Sequence, residues 1–166
     1  MKKTLIVIDM QNDFIDMALG TKEAVAIVDN VKSKVSEYAK AGYEIIYTRD
    51  THPENYLETS EGKRLPVPHC IKGTKGWEIA DGIYVDGSKI IDKPTFGWTG
   101  WAEESLEDVL IVGLCTDICV VSNALIIKAA FPDACIKVDK KCCAGVSVES
   151  HNAALLTMQM CQIDII

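Results

Sequence analysis

Apolar positions fall into two periodicities that alternate along the chain. Short apolar-rich runs occur at residues 4–8, 44–48, 89–92, 109–113, 135–138 and 163–166. Unbroken runs of this length suit strands covered on both faces. Between them, apolar residues recur at helical spacing. Residues 22–41 put Val25, Val28, Val31, Val35 and Tyr38 on one side and end at Gly42, the pattern of an amphipathic helix with a glycine stop. Residues 118–130 and 148–160 read as two further helices. Strands alternating with helices predict an α/β fold with a parallel sheet and helices on both faces.

Two connections break this rhythm. Residues 50–76 carry Pro53, Pro66 and Pro68 and no clear periodicity. That is long for a mere connector, so the segment is expected to be a functional loop. Residues 98–108 leave room for only two helical turns, over 103–108.

Composition narrows the class. At 166 residues and 48% hydrophobic, the chain fits one globular domain, spanning 1–166, with a sizeable core. No apolar run approaches a membrane span. Met1-Lys-Lys-Thr leads straight into the first strand, so no signal peptide is expected. A net charge of −7 argues against a nucleic-acid partner. Seven cysteines, an odd number with no secretion signal, suit a reducing cytoplasm rather than a disulfide framework. The adjacent Cys142 and Cys143 are expected to pack rather than bridge.

Chemistry gathers at the ends of strands. Gly113-Leu-Cys-Thr-Asp-Ile-Cys-Val120 follows the fourth strand and opens a helix from about Asp117. Cys119 is thereby expected in a helical first turn, with Asp117 as a plausible N-cap. The unpaired N–H groups and positive dipole end there favour thiolate and could hold an oxyanion. Asp9, in Asp9-Met-Gln-Asn-Asp-Phe14, follows the first strand, and Lys93 follows the third. In open α/β sheets, ligands bind outside these carboxyl ends. An acid, a base and a thiol there form a nucleophile with its activators.

These three segments, in this order, resemble the isochorismatase-like cysteine hydrolases, and among them most of all the nicotinamidases. The resemblance implies a single-domain, Rossmann-like three-layer sandwich with a six-stranded parallel sheet in the order 3-2-1-4-5-6. It implies Cys119 as nucleophile, Asp9 as proton carrier and Lys93 as stabiliser of the developing thiolate. The backbone N–H groups of Cys115 and Cys119 would be the oxyanion donors, beside a cis peptide at Leu114–Cys115. It also implies a homo-oligomer, a dimer or tetramer, acting on a small-molecule amide. The connection at 98–108 is short beside relatives, which usually place a longer helix there.

The long loop adds a second constellation. Asp50 and His52 follow the second strand, and His69 lies further along. One carboxylate and two imidazoles suit a divalent ion such as zinc, iron or manganese. These residues match the metal ligands of nicotinamidases. Many of those supply a further histidine between the two, and none is present here. Some relatives use a glutamate, for which Glu61 is the candidate and Glu58 the runner-up. Phe14, Leu65 and Trp98 are candidate pocket walls. A tryptophan that usually lines the nicotinamide ring is absent from Leu65-Pro-Val-Pro68. His151, the third histidine, is expected to be structural.

Three readings remain at this level. The first is a nicotinamidase working through a thioester. The second is a related cysteine hydrolase acting on a carbamoyl, ureido or other small amide. The third is a catalytically silent binding protein with a redox-sensitive cysteine.

Overall fold

The computed structural model describes residues 2–166. Six parallel strands form one sheet in the order β3-β2-β1-β4-β5-β6. They are β1 (Lys3–Ile8), β2 (Glu44–Asp50), β3 (Lys89–Lys93), β4 (Asp108–Leu114), β5 (Cys135–Ala144) and β6 (Asp164–Ile165). The helices are α1 (Asn12–Ile15), α2 (Lys22–Lys40), α3 (Ser60–Arg64), α4 (Val121–Ala130) and α5 (Val148–Met160). The strand order and the placement of helices agree with the sequence reading.

Alternate strand residues serve opposite faces, as the two-residue period of a strand requires. Leu5 and Val7 of β1, with Leu110 and Val112 of β4, pack under α2. Ile6 and Ile8, with Val109 and Ile111, pack under α4 and α5. Each central strand is therefore apolar throughout. Helix α2 starts at Thr21, whose hydroxyl accepts the Ala24 N–H at 3.0 Å. Its buried stripe is Ala24, Ile27, Val31 and Val35. Val25, expected on the core side, is 51% exposed. The stripe turns by 3.6 residues per turn, and Ala24 takes the position at its start.

Other expected boundaries shift. Strand β5 extends to Ala144 rather than 138, and α4 starts at Val121 rather than 118. No helix forms over 103–108. Residues Thr99–Glu103 make a 3-10 turn that buries Trp101, and Asp108 already belongs to β4. The long loop holds a 3-10 turn at Tyr56–Glu58 followed by α3. All seven cysteines are free, and Cys142 and Cys143 are buried. Among the described residues, no helix is long and apolar enough to cross a membrane.

Strands β1 and β4 lie side by side, while the chain runs from β1 to β2 and β3 on one side and continues from β4 to β5 and β6 on the other. This is the switch point where open α/β sheets form a crevice. Gly113 brings the two strand ends together there. Its φ is +122°, and a Cβ on it would lie 2.0 Å from the Ile8 carbonyl oxygen. Only glycine allows that approach.

Candidate active site

Asp9 leaves β1 with φ +45°, a left-handed conformation tolerated by aspartate. Its N–H donates to the Thr48 carbonyl and hydroxyl, both at 3.2 Å. The Thr48 hydroxyl donates to Asp9 Oδ1 at 2.6 Å. One carboxylate oxygen is thus fixed by β2. The other, Oδ2, lies 2.6 Å from Lys93 Nζ, and both side chains are fully buried. Lys93 Nζ is also 3.5 Å from Cys119 Sγ and 3.8 Å from Asp50 Oδ1. The ammonium is therefore a hub between acid, thiol and loop.

Cys119 does not sit in an α-helical first turn. Thr116–Val120 is a single π-helical turn, entered through a cis peptide at Leu114–Cys115 and continued by α4. Such turns recur at functional sites. Asp117 does not cap a helix. Its carboxylate accepts the Val146 N–H at 3.0 Å and the Ser150 hydroxyl, tying the turn to the start of α5. The Thr116 hydroxyl pairs with His151 Nδ1 at 2.7 Å, so His151 also fastens this turn.

The electrostatics differ from the expectation of a ready thiolate. Burial pushes the Cys119 thiol well above its ordinary value, the Asp9 charge adds to this, and Lys93 opposes it. Forming the thiolate therefore calls for a base beside it. Burial likewise raises Asp9, partly offset by Lys93. Burial works against the Lys93 ammonium, but the negative groups around it, Asp9 foremost, raise its pKa. The cation is held charged beside a carboxylate made more basic, which suits proton abstraction.

Asp50 ends β2, directly beside Lys93 in register. Gln11 fixes it from below: its side-chain amide donates to the Asp50 carbonyl at 2.9 Å and accepts the Asp50 N–H at 2.7 Å. His52 follows in an isolated bridge to Ile71. His69 is set by its neighbour Cys70, whose N–H donates to Asp13 Oδ2 at 2.7 Å. Glu61 comes from α3. The four donors Asp50, His52, Glu61 and His69 offer ligand atoms all within 4.8 Å of one another. His52 Nε2 is 2.9 Å from Asp50 Oδ2 and 3.7 Å from Glu61 Oε1. His69 Nε2 is 3.6 Å and 3.7 Å from the same two oxygens. Tetrahedral ligands about 2.1 Å from zinc stand about 3.4 Å apart, so the set fits such an ion.

Two further details suit a cation. His69 Nδ1 donates to the Val67 carbonyl at 2.8 Å, which turns Nε2 toward the cluster. Asp50 Oδ1 is buried without a hydrogen-bond partner. Burial would raise Asp50, but the neighbouring His52 and His69 rings and the Lys93 ammonium pull it below the usual carboxylate range. Glu58 faces away, where its carboxylate accepts from Asn55 at 3.1 Å.

A cavity of about 710 Å³ joins the two constellations. Cys115, Cys119 and all four donors line it, as do Phe14 and Leu65. Trp98 does not. It packs edge-on to Trp101 with centroids 5.0 Å apart, and its N–H donates to Asn123. Phe96 lines the cavity instead. Sequence reasoning passed over Phe96, Gln11 and Thr48. The positions of Phe96 soon after Lys93, and of Gln11 within the Asp9 segment, were the available signals.

A thiol, an acid and a lysine meet at the carboxyl ends of this sheet, and residues 3–166 match the isochorismatase domain model. The chain belongs to the isochorismatase family. Among its relatives, the nicotinamidase of Schizosaccharomyces pombe is 25% identical over 98% of this chain and 91% of its own. The nicotinamidase/pyrazinamidase structure from Bacillus subtilis superposes with TM-score 0.86 at 26% identity over 99% of both chains. The pyrazinamidase of Pyrococcus horikoshii, solved in complex with zinc, does so with TM-score 0.86 at 27% identity, covering all of this chain and 99% of that one. The chain is an amide-bond hydrolase of this family, with a candidate metal centre beside its thiol.

Proposed function

We propose that the protein is a nicotinamidase, converting nicotinamide and water to nicotinate and ammonia through a thioester on Cys119. The observation that carries this is the Lys93 hub: one buried ammonium touches the Asp9 carboxylate and the Cys119 sulfur, at the wall of a cavity shared with four metal donors. Asp9 takes the thiol proton, and Lys93 stabilises the thiolate as it forms. The sulfur attacks the carboxamide carbon. The N–H groups of Cys115 and Cys119 receive the negative oxygen, each such donor contributing about 3–4 kcal/mol. Asp9 returns its proton to the leaving nitrogen, and ammonia departs. Water then attacks the thioester with Asp9 again as base, which restores the thiol.

Asp50, His52, Glu61 and His69 would hold a divalent ion, with zinc the first choice from this donor set. With a coordination position left beyond the four protein donors, such an ion would supply a Lewis-acid anchor for the pyridine nitrogen. Phe14 and Leu65 enclose the ring, and the protein walls keep bulk water from the carbonyl. Seven free cysteines suit a reducing compartment, so the proposal includes a cytoplasmic location.

Arg64 favours a second reading. It lines the cavity and forms no ion pair among the described residues. A carbamoyl or ureido acid would offer it a carboxylate. Ammonia release from nicotinamide, benzamide and a ureido acid, with and without chelator, separates the two. Nicotinamide should exceed benzamide by about a hundredfold, because positioning a reacting group is worth several kcal/mol. Equal rates for the two, or turnover of the ureido acid alone, would replace the first reading with the second.

A further inference from the structure

Tyr56 is fully buried, though it lies in the irregular loop between β2 and β3. Its ring meets His52 edge-on with centroids 4.8 Å apart, and His69 at 5.0 Å. The two imidazoles are themselves 4.8 Å apart, so the three rings form one cluster. Beyond the ring, the Tyr56 hydroxyl donates to the Leu65 carbonyl at 2.9 Å, just past the last turn of α3. The Tyr56 carbonyl accepts the Thr59 N–H at 2.9 Å and the Thr59 hydroxyl at 2.6 Å. Thr59 in turn caps α3 by accepting the Gly62 N–H at 3.0 Å. Gly62 closes the arrangement, for a Cβ there would lie 2.1 Å from the Tyr56 carbonyl oxygen.

Tyr56 thus grips α3 at both ends while its ring wedges the two histidines. Helix α3 has five residues and carries Glu61. So short a helix is not stable by itself. Asp50 is held by the sheet and Gln11, His52 by its bridge to Ile71, and His69 by the Cys70–Asp13 bond. Glu61 has no such anchor of its own. Its placement depends on Tyr56.

We propose that Tyr56 is the positioning residue of the metal centre, acting mainly by delivering Glu61. This rests on the metal-centre reading above. Residues behind a ligand commonly set metal affinity by 10- to 100-fold. The test is cobalt and zinc affinity, measured by competition with a chromophoric chelator, in the wild type, Tyr56→Phe, Glu61→Gln and the double variant. The cobalt visible spectrum serves as a second readout of ligand number. Tyr56→Phe keeps the ring and removes only the Leu65 anchor. It should weaken binding about tenfold and shift the cobalt spectrum toward that of Glu61→Gln. In the Glu61→Gln background the same change should add little, because the ligand it positions is gone. Tyr56→Leu, which also removes the ring, should weaken binding further through the histidines. Metal-free melting of each variant separates loss of fold from loss of affinity.

Wild-type affinity in Tyr56→Phe would overturn the inference and leave the metal centre standing. A full additional loss in the Glu61→Gln background would overturn it too, since Tyr56 would then act on the loop as a whole. A wild-type protein that takes up neither ion would remove the metal reading, and this inference with it.

Discussion

The two halves of the candidate site are built by different means. Asp9, Lys93 and the Cys119 turn stand at the ends of β1, β3 and β4, where ladder hydrogen bonds and a covered sheet fix the backbone. The metal donors after Asp50 come from residues 51–88, a connection with one 3-10 turn and one five-residue helix. There, side chains do the fixing, Asp13 on Cys70 and Tyr56 on α3, while Gln11 adds two hydrogen bonds to Asp50 at the end of β2. At the strand ends the ladder fixes the backbone, and the buried side chains of Asp9 and Lys93 pair with each other. The loop needs a dedicated partner for nearly every donor, because buried polar groups outside a ladder must be satisfied singly.

This contrast ranks the expected effects of substitution. Cys119→Ala should lower ammonia release by about 10⁴-fold or more, since removing a nucleophile takes away the whole covalent route. Metal uptake should be unchanged, because the two halves are anchored separately. Variant protein that retains wild-type turnover would end the thioester proposal.

Asp9→Asn comes next, at about 10²- to 10⁴-fold in turnover, the usual value of a positioned acid–base group. Its pH–rate profile should lose the limb set by Asp9. A stability loss should accompany it, because Lys93 would keep its buried charge without its closest partner. Thermal melting at neutral pH checks that part.

Gln11→Ala probes the loop side. It removes both hydrogen bonds that pin Asp50, and metal affinity should fall by about 10- to 100-fold. Chelator competition measures this. An unchanged affinity would mean that register with Lys93 alone places Asp50, and the contrast between the halves would weaken.

The smallest effect concerns pH. Burial lowers the pKa of His151, with Asp117 opposing. A histidine depressed in the folded state is protonated first in the unfolded chain, near 6.5. The unfolded state then binds more protons, so stability falls as pH drops below that value. Above it, His151 contributes no pH dependence. Denaturant titrations at pH 7.5 and 5.5 should show a smaller acid loss in His151→Gln than in the wild type. An identical loss would mean that His151 does not titrate in this range.

Much of the site was legible because strand ends are legible. A short apolar run followed by Asp9, Lys93 or Gly113 fixes both the element and the place where its last side chain emerges. Glycine at 113 marks the close approach to Ile8 for the same local reason. The loop was legible only in kind. His52 and His69 point to a candidate metal centre, yet Glu61 joins it because α3 carries it toward the two rings, while Glu58, in the turn before, bonds to Asn55. Trp98 was misplaced for a similar reason. An aromatic after a strand can turn either way, and here Trp101 and Asn123 draw it into the core while Phe96 meets the cavity.

The sequence by itself determined the strands and their burial, the α/β alternation, and the candidates for the chemically active residues. These depend on periodicity and residue type, which are properties of neighbours along the chain. The tertiary structure alone decided that Lys93 lies within 4 Å of Asp9, Cys119 and Asp50 at once, that Cys119 rides a π-helical turn, and that burial raises the pKa of its thiol. Those outcomes depend on distances between segments far apart in sequence and on how completely water is excluded between them. Dielectric and packing are properties of the assembled molecule, and no local pattern encodes them.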